Sequence, residues 1–380
     1  METMNADLYL GIMSGTSLDG IDIAACRFTG KHIDLLAFHS MEWQPALRER
    51  LIDIATADRI EMDLLVRAHF ELARVYAAAV EATLREAGIH ASDIRAIGLH
   101  GQTVRHLPSQ PNPATFQLGS GAALAAVTGI DVVSDFRSAD MALGGEGAPL
   151  VPMFDFHFLA SDANERLIVN IGGIANVTWL PAHADAGDVI AFDSGPGNML
   201  LDSIARRYFG KPFDENGEIG RSGEINEDLL AKFLSHPYFN TPPPKSTGRE
   251  LFSELFLSDL HREIAAGKLL PEDALATLTE LTALSIMRSL DLARRKTQDV
   301  EIIVSGGGAL NKYLLERMKA NASPHASICS SDAYGIPSKA KEAIAFAFFA
   351  RAFVEEIRIH LPKTTGASRQ TALGSLSRGK

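Results

Sequence analysis

The stretch LYLGIMSGTSLDGIDIAACRF, Leu8 to Phe28, reads as two apolar strands joined by a turn of glycine, serine, threonine and aspartate. Glycine tolerates positive φ and lets backbone amides approach a ligand closely, and a turn with several such amides and small hydroxyls forms a concave anion site. Asp19 and Asp22 beside that site would repel a bare phosphate. A divalent cation between carboxylate and phosphate reconciles the two, so the turn is expected to take a magnesium nucleotide. On these residues alone, a tight turn with no ligand accounts for the composition equally well.

At 380 residues the chain exceeds what one core usually holds, so two domains are expected. A net charge of -11 argues against nucleic acid or an anionic membrane as the main partner. Only two cysteines occur, Cys26 and Cys329, far apart and each in an apolar run. This suits buried thiols in a reducing compartment, with the cytoplasm as the default. No basic segment followed by an apolar one opens the sequence, and the apolar run Ala343 to Phe349 is too short to span a bilayer.

Outward from the opening hairpin, Ile33 to Phe38 reads as a third strand and Met62 to Ala87 as a long helix stopped by Gly88. Ile94 to Leu99 is expected as a buried strand whose end delivers His100, Gly101, Gln102 and Thr103. Ligands of open α/β sheets sit at strand ends, which makes these polar residues site candidates. His100 and His106 could act as ligands or bases, although such a pair is more often polar loop. A helix from Ser120 to Thr128 and a strand from Asp131 to Ser134 lead to the loop Asp135 to Asp140 and then to Gly144–Pro149.

The design then repeats. RLIVNIGGIANVTWL, Arg166 to Leu180, is again strand, glycine turn, strand. It predicts two related halves facing a cleft, with domains at 1–150 and 151–380. A strand Val189 to Phe192 ends in Asp193-Ser194-Gly195-Pro196-Gly197-Asn198, before a helix from Met199 to Tyr208. Thr241 to Thr247 reads as rim or surface loop, and helical patterns fill Glu250–Ala266 and Pro271–Arg294. A strand Val300 to Ser305 runs into Gly306-Gly307-Gly308, with a helix expected from about Ala309 and a last one from Ser338 to Ile357. Three glycines between strand and helix suit close approach of a flat or anionic ligand. No G-x-x-x-x-G-K-[ST], G-x-G-x-x-G or H-E-x-x-H motif is present, so a P-loop, a Rossmann fingerprint and a zincin are excluded.

Duplicated halves, a glycine hairpin opening each and a late triple glycine resemble the sugar kinase, Hsp70 and actin superfamily. Within it, GTSLDGID, HGQTVRH, SDFRSADMALGGEGAPLVP, NIGGIAN, FDSGPGNMLLD, STGRELF, SGGGALN and KEAIAFAF are similar to the anhydro-N-acetylmuramic acid kinase family over nearly the whole chain. The resemblance implies an α/β fold of two ribonuclease-H-like duplicated domains with mixed sheets around a central cleft, the actin-like ATPase fold. It also implies ATP with Mg2+, and a reaction that opens the 1,6-anhydro ring with water and phosphorylates the freed O6. The alternative is a conventional sugar kinase acting on a free hydroxyl.

Under this resemblance Asp193 is the base for the water, its carboxylate left uncovered by the following turn; the competing role is a cap on the next helix. Gly15, Thr16, Ser17, Leu18, Asp19, Gly20, Ile21 and Asp22 would bind phosphates, Asp19 holding the metal through water. Gly172 and Gly173 with Gly306, Gly307 and Gly308 would complete the nucleotide site. Arg137 would take the lactyl carboxylate of the sugar, since a guanidinium meets a carboxylate in two-pronged fashion. His100 and Gln102 would read sugar hydroxyls or the acetamido group, and Glu342 would face the cleft. A homodimer, formed through helices between Glu250 and Arg294, is also expected.

Overall fold

The structure is a computed structural model and describes residues 8–15, 18–108, 112–248, 251–293 and 299–380. Thr16 and Ser17 of the opening turn, Arg249 of the STGRELF segment, and Glu250 and Arg294 of the expected helical stretches lie outside the described residues. The chain divides into two compact units, Met1–Phe158 with Ala340–Lys380, and Leu159–Lys339.

In the first unit the opening hairpin is β1 (Leu8–Ser14) and β2 (Gly20–Thr29), antiparallel, with Met13 opposite Asp22 next to the turn. β3 (His32–Glu42) pairs antiparallel with β2, and β4 (Ile94–Leu107) lies parallel to β1 on its other side. β5 (Ala114–Leu118) folds back on the far end of β4, and β6 (Val132–Ser134) runs parallel to β4. The short strand Ser375–Ser377 closes the edge antiparallel to β6. β1 is central and buried along almost its whole length, which is why it reads as a nearly continuous apolar run.

Helices cover the sheet. The Met62–Ala87 helix buries Leu72, Tyr76, Val80 and Leu84, and Gly88 at φ 65°, ψ 28° terminates it in the left-handed conformation open to glycine. Lys341–Val354 forms another helix, apolar nearly all round, and its seat is dictated by two glycines. Gly11 of β1 and Gly98 of β4 are register partners. A Cβ on Gly11 would stand 1.8 Å from the Ala343 carbonyl oxygen, and one on Gly98 would stand 1.9 Å from that of Phe346. The helix backbone therefore lies directly on bare strand, with Phe346 and Phe349 packed on Phe136, and Phe348 among Phe28, Phe154 and Phe158.

This seat corrects the expected domain division. The stretch from Ala340 onward, expected with residues 151–380, belongs to the first unit, where its helix is seated on Gly11 of β1 and Gly98 of β4.

The second unit repeats the first. β7 (Glu165–Ile171), β8 (Ile174–Leu180) and β9 (Ile190–Pro196) are antiparallel neighbours. β10 (Val300–Ser305) lies parallel to β7, and β11 (Ala326–Ser330) parallel to β10. The order β9-β8-β7-β10-β11 reproduces β3-β2-β1-β4-β6 in sequence and in strand sense, so the ribonuclease-H-like arrangement is duplicated as expected. The Pro271–Ala293 helix is the unit's central helix; Thr279 Oγ1 donates within it to the Leu275 carbonyl at 2.8 Å, whereas Thr282 Oγ1 reaches out to the Gly197 carbonyl at 3.3 Å. Most of this helix from Ala274 to Ala293 is buried within the unit, with Arg288 and Asp291 exposed. Upstream, among the described residues of the expected Glu250–Ala266 stretch, only Ser258–Ala265 is α-helical.

Candidate active site

The expected site residues fall into two groups, one in each unit. In the first unit, the turn after β1 is held in an uncommon conformation. Leu18 has φ 58°, a region that residues with a Cβ avoid, while its side chain is buried in the core. Its N–H donates to the Gly15 carbonyl at 3.2 Å, and Arg48 Nε donates to its own carbonyl at 2.8 Å. Ile21 is likewise a core side chain, so Leu18 and Ile21 offer backbone only. Asp19 is exposed and Asp22 half-buried. No cluster of three His, Cys, Asp or Glu fit to hold a metal exists among the described residues. The donor set suits a cation that arrives on nucleotide phosphates better than a resident ion.

His100 and Gln102 do not follow a strand end as expected; β4 continues through them to Leu107. Gln102 is buried, and its Nε2 donates to the Gly15 carbonyl at 3.1 Å, so it braces the opening turn. His100 is also buried, and Arg137 Nη2 donates to its Nε2 at 2.8 Å. Burial, and then the Arg137 charge, push His100 down to about 3, with backbone groups of Gly101 and Ser14 opposing. His100 is therefore a neutral acceptor for the guanidinium. Its folded pKa is lower than the unfolded value, so on acidification the unfolded chain takes the proton first. Its contribution to stability is complete above about pH 6.5 and is lost as the pH falls toward 3. We expect its ring carbon-bound protons to show no titration between about pH 5 and 8 in NMR spectra; a midpoint in that window would contradict this geometry.

Arg137 also donates from Nη1 to the Gly147 carbonyl at 2.7 Å. Burial lowers its pKa to about 10, which Glu342 and Asp140 counteract, so it stays charged. Its Nε is buried with no hydrogen-bond partner among the described residues, which leaves part of the planar fork for a ligand carboxylate. Glu342 sits in the first turn of the Lys341–Val354 helix, and burial raises its pKa. The fields of Lys341, Asp22 and Arg137 act on it, so Glu342, Asp22, Arg137 and His100 form one coupled group.

In the second unit three turns knit together. Gly197 N–H donates to the Gly173 carbonyl at 2.9 Å and Asn198 N–H to that of Gly172 at 2.8 Å. Asn198 Nδ2 donates to the Ile171 carbonyl at 3.3 Å, beneath the triple glycine. The three late glycines differ in purpose. A Cβ on Gly306 or Gly308 would strike Ile171, at 2.7 Å and 2.3 Å, so these two serve internal packing. On Gly307, Gly172 and Gly173 a Cβ would meet nothing nearer than 3.6 Å, which leaves these three as the open faces of the cradle. The helix expected from Ala309 begins later. Gly307–Leu310 is a 3-10 turn, and Lys312–Ala320 follows, capped by Asn311 Oδ1 accepting from Leu314 N–H at 3.0 Å.

Asp193 lies inside β9, opposite Asn176, rather than after its end. Its carboxylate is not uncovered: Thr247 N–H donates to Oδ2 at 2.9 Å. Its N–H donates to the Lys245 carbonyl at 3.2 Å, and Tyr238 Oη–H donates to its carbonyl at 2.7 Å. Lys245 Nζ in turn donates to the Tyr238 carbonyl at 3.0 Å and sits 4.5 Å from the centre of the Tyr238 ring. Asn198, not Asp193, occupies the N-cap position of the Met199–Phe209 helix. Sequence reasoning missed Lys245 and Thr247 because they sit in a stretch read as rim loop, and Tyr238 because it lies just before that stretch; a lysine directly after three prolines was the available signal.

The model of the anhydro-N-acetylmuramic acid kinase family matches residues 7–379. The chain belongs to that family. An anhydro-N-acetylmuramic acid kinase of Shewanella pealeana is 40% identical over 372 residues, covering 98% of this chain and 99% of that one. One from Saccharophagus degradans is 40% identical over 376 residues, covering 98% and 99%. Among solved structures, the activator of the 2-hydroxyisocaproyl-CoA dehydratase from Clostridium difficile aligns with 92% of this chain and 96% of that chain, at 12% identity and a TM-score of 0.48. As an anhydro-N-acetylmuramic acid kinase the chain is an ATP-using enzyme that acts on a small sugar. No helix among the described residues is long and apolar enough to cross a membrane.

Proposed function

We propose that the chain adds water across the 1,6-anhydro bond of anhydro-N-acetylmuramic acid and phosphorylates the freed O6, forming N-acetylmuramic acid 6-phosphate and ADP during cell-wall recycling. The observation that carries this reading is the Asp193 carboxylate, fixed through Thr247 N–H and through the backbone pairing of Asp193 with Lys245. Asp193 removes a proton from water as its oxygen bonds to the anomeric carbon. The C1–O6 bond breaks, and O6 takes the γ-phosphoryl group as its bond to the β-phosphate oxygen of ATP breaks. The phosphoryl group thus accepts the leaving oxygen, in place of the acid that a glycosidase supplies.

Gly172, Gly173 and Gly307, with no close neighbour where a side chain would stand, support a nucleotide cradle, and the Gly15–Asp22 turn supports phosphate binding. Mg2+, when bound with ATP, neutralises phosphate charge, with Asp19 contacting it through water. Arg137 takes the lactyl carboxylate, His100 orients the Arg137 guanidinium, and Gln102 fixes the phosphate turn. Glu342 is assigned to the sugar side of the same group. Action in the cytoplasm and as a homodimer completes the proposal, the latter checked by sedimentation equilibrium.

Turnover of the anhydro sugar with ATP and Mg2+ in oxygen-18 water tests the reaction. Label on the C1 hydroxyl at early times, before mutarotation exchanges it, is the expected result. Inertness toward the anhydro sugar together with turnover of N-acetylmuramic acid would overturn it in favour of a conventional sugar kinase.

A further inference from the structure

Asp140 is a carboxylate with no role in the reaction as written, and neither it nor His360 exposes any side-chain surface. Three donors hold it. His360 Nε2 and Thr365 Oγ1 donate to Oδ1 at 2.6 Å and 2.5 Å, and Gly147 N–H donates to Oδ2 at 2.7 Å. Thr371 N–H donates to His360 Nδ1 at 3.0 Å, which puts the imidazole proton on Nε2 and aims it at Asp140. Burial alone would raise the Asp140 pKa, but the hydrogen bonds from His360, Thr365 and Gly147 outweigh it and keep the group ionised.

The surrounding backbone is laced in the same sense. Glu146 N–H donates to the Thr365 carbonyl at 2.7 Å and Ser368 N–H to that of Leu143 at 2.9 Å. Gly145 has to be glycine, since a Cβ there would stand 2.2 Å from Asp140 Oδ2. Residue Gly147 is the link that matters: its N–H, in the peptide with Glu146, is held by Asp140, and its carbonyl, in the next peptide with Ala148, accepts from Arg137 Nη1 at 2.7 Å. A series of hydrogen bonds therefore runs from His360 and Thr365 through Asp140 and Gly147 to Arg137 Nη1, while Arg137 Nη2 donates to His100.

We propose that Asp140, together with His360 and Thr365, is a positioning residue for Arg137, setting the direction in which the guanidinium presents itself to the carboxylate of the sugar. The proposal rests on the reading of Arg137 given above. A residue whose N–H and carbonyl are both held has its φ and ψ constrained by the two bonds, and two-pronged carboxylate recognition depends on the orientation of the fork. Losing Thr365 Oγ1 removes one donor from a buried anion, so the carboxylate shifts and the backbone at Gly147, bonded to it through N–H, shifts with it.

The test uses the full chain with two probes, the anhydro sugar and its lactyl methyl ester. Thr365→Val and Asp140→Asn are expected to raise KM for the acid about tenfold while KM for ATP changes less than about twofold, so the preference for acid over ester collapses. Thr365→Ser, which keeps the donor, is expected to restore it. In an Arg137→Leu background Thr365→Val is expected to add nothing further, a non-additivity that general loosening of the fold would not produce. If Asp140→Asn fails to fold, Thr365→Val carries the test. Retention of the acid preference in Arg137→Leu would overturn the carboxylate reading of Arg137. Loss of that preference in Arg137→Leu, with retention in Thr365→Val and Asp140→Asn, would overturn the positioning proposal alone. An equal rise in both KM values, or full additivity, would overturn it as well.

Discussion

Asp193→Asn is expected to lose turnover by about a thousandfold or more while binding ADP within about twofold of the parent. The substitution is close to isosteric, and the Asn Oδ1 can still accept the Thr247 N–H that holds the carboxylate at 2.9 Å. The bonds that the backbone of residue 193 makes to the Lys245 carbonyl and the Tyr238 hydroxyl involve no side-chain atom of residue 193 and survive the substitution. What disappears is the lone pair basic enough to take a proton from water. Calorimetric ADP titration and a coupled ADP-release assay separate the two effects, and activity above about a tenth of the parent's would remove Asp193 from the role of base.

Gly98→Ala is expected to lose about 3 kcal/mol of stability or more, seen in thermal melts or as insoluble protein. The added methyl would meet the Phe346 carbonyl oxygen at 1.9 Å. That atom belongs to the backbone of a buried helix and cannot swing aside as a side-chain tip would. The control is Gly30→Ala, where φ is 59° and nothing lies within 4 Å of the new methyl. Only the left-handed backbone is strained there, at about 1 kcal/mol. Equal losses in the two variants would show that close packing on the Lys341–Val354 helix is not what Gly98 provides.

The elements most legible in the sequence were those whose signal is local. Gly88 stops its helix where expected, and Val300–Ser305 is a strand over the expected residues, because a left-handed cap and an apolar run are written in neighbouring positions. The repeated hairpin was legible for the same reason, and so was the family. The expected ends of β4 and β9 fell short because His100, Gln102, Asp193 and Ser194 interrupt the apolar pattern while the ladder continues beneath them. Long-range partners had no local trace. Asp140 meets His360 at a separation of 220 residues, and Asp193 meets Thr247 at 54. The return of the last helix left one readable mark, the paired glycines at 11 and 98, whose meaning depends on knowing that their strands are neighbours.

The glycine strip also bears on how the protein is born. Synthesis runs from the N-terminus, and domains usually fold as they emerge. Here β1, β2 and β4 emerge early with a bare apolar face, and the helix that covers it is not translated until Lys341 has been passed. The first unit must wait for the whole of the second to be made. A nascent chain stalled anywhere before that point would carry the opening turn on an unfinished sheet, with Gly11 and Gly98 uncovered and open to chaperones and proteases.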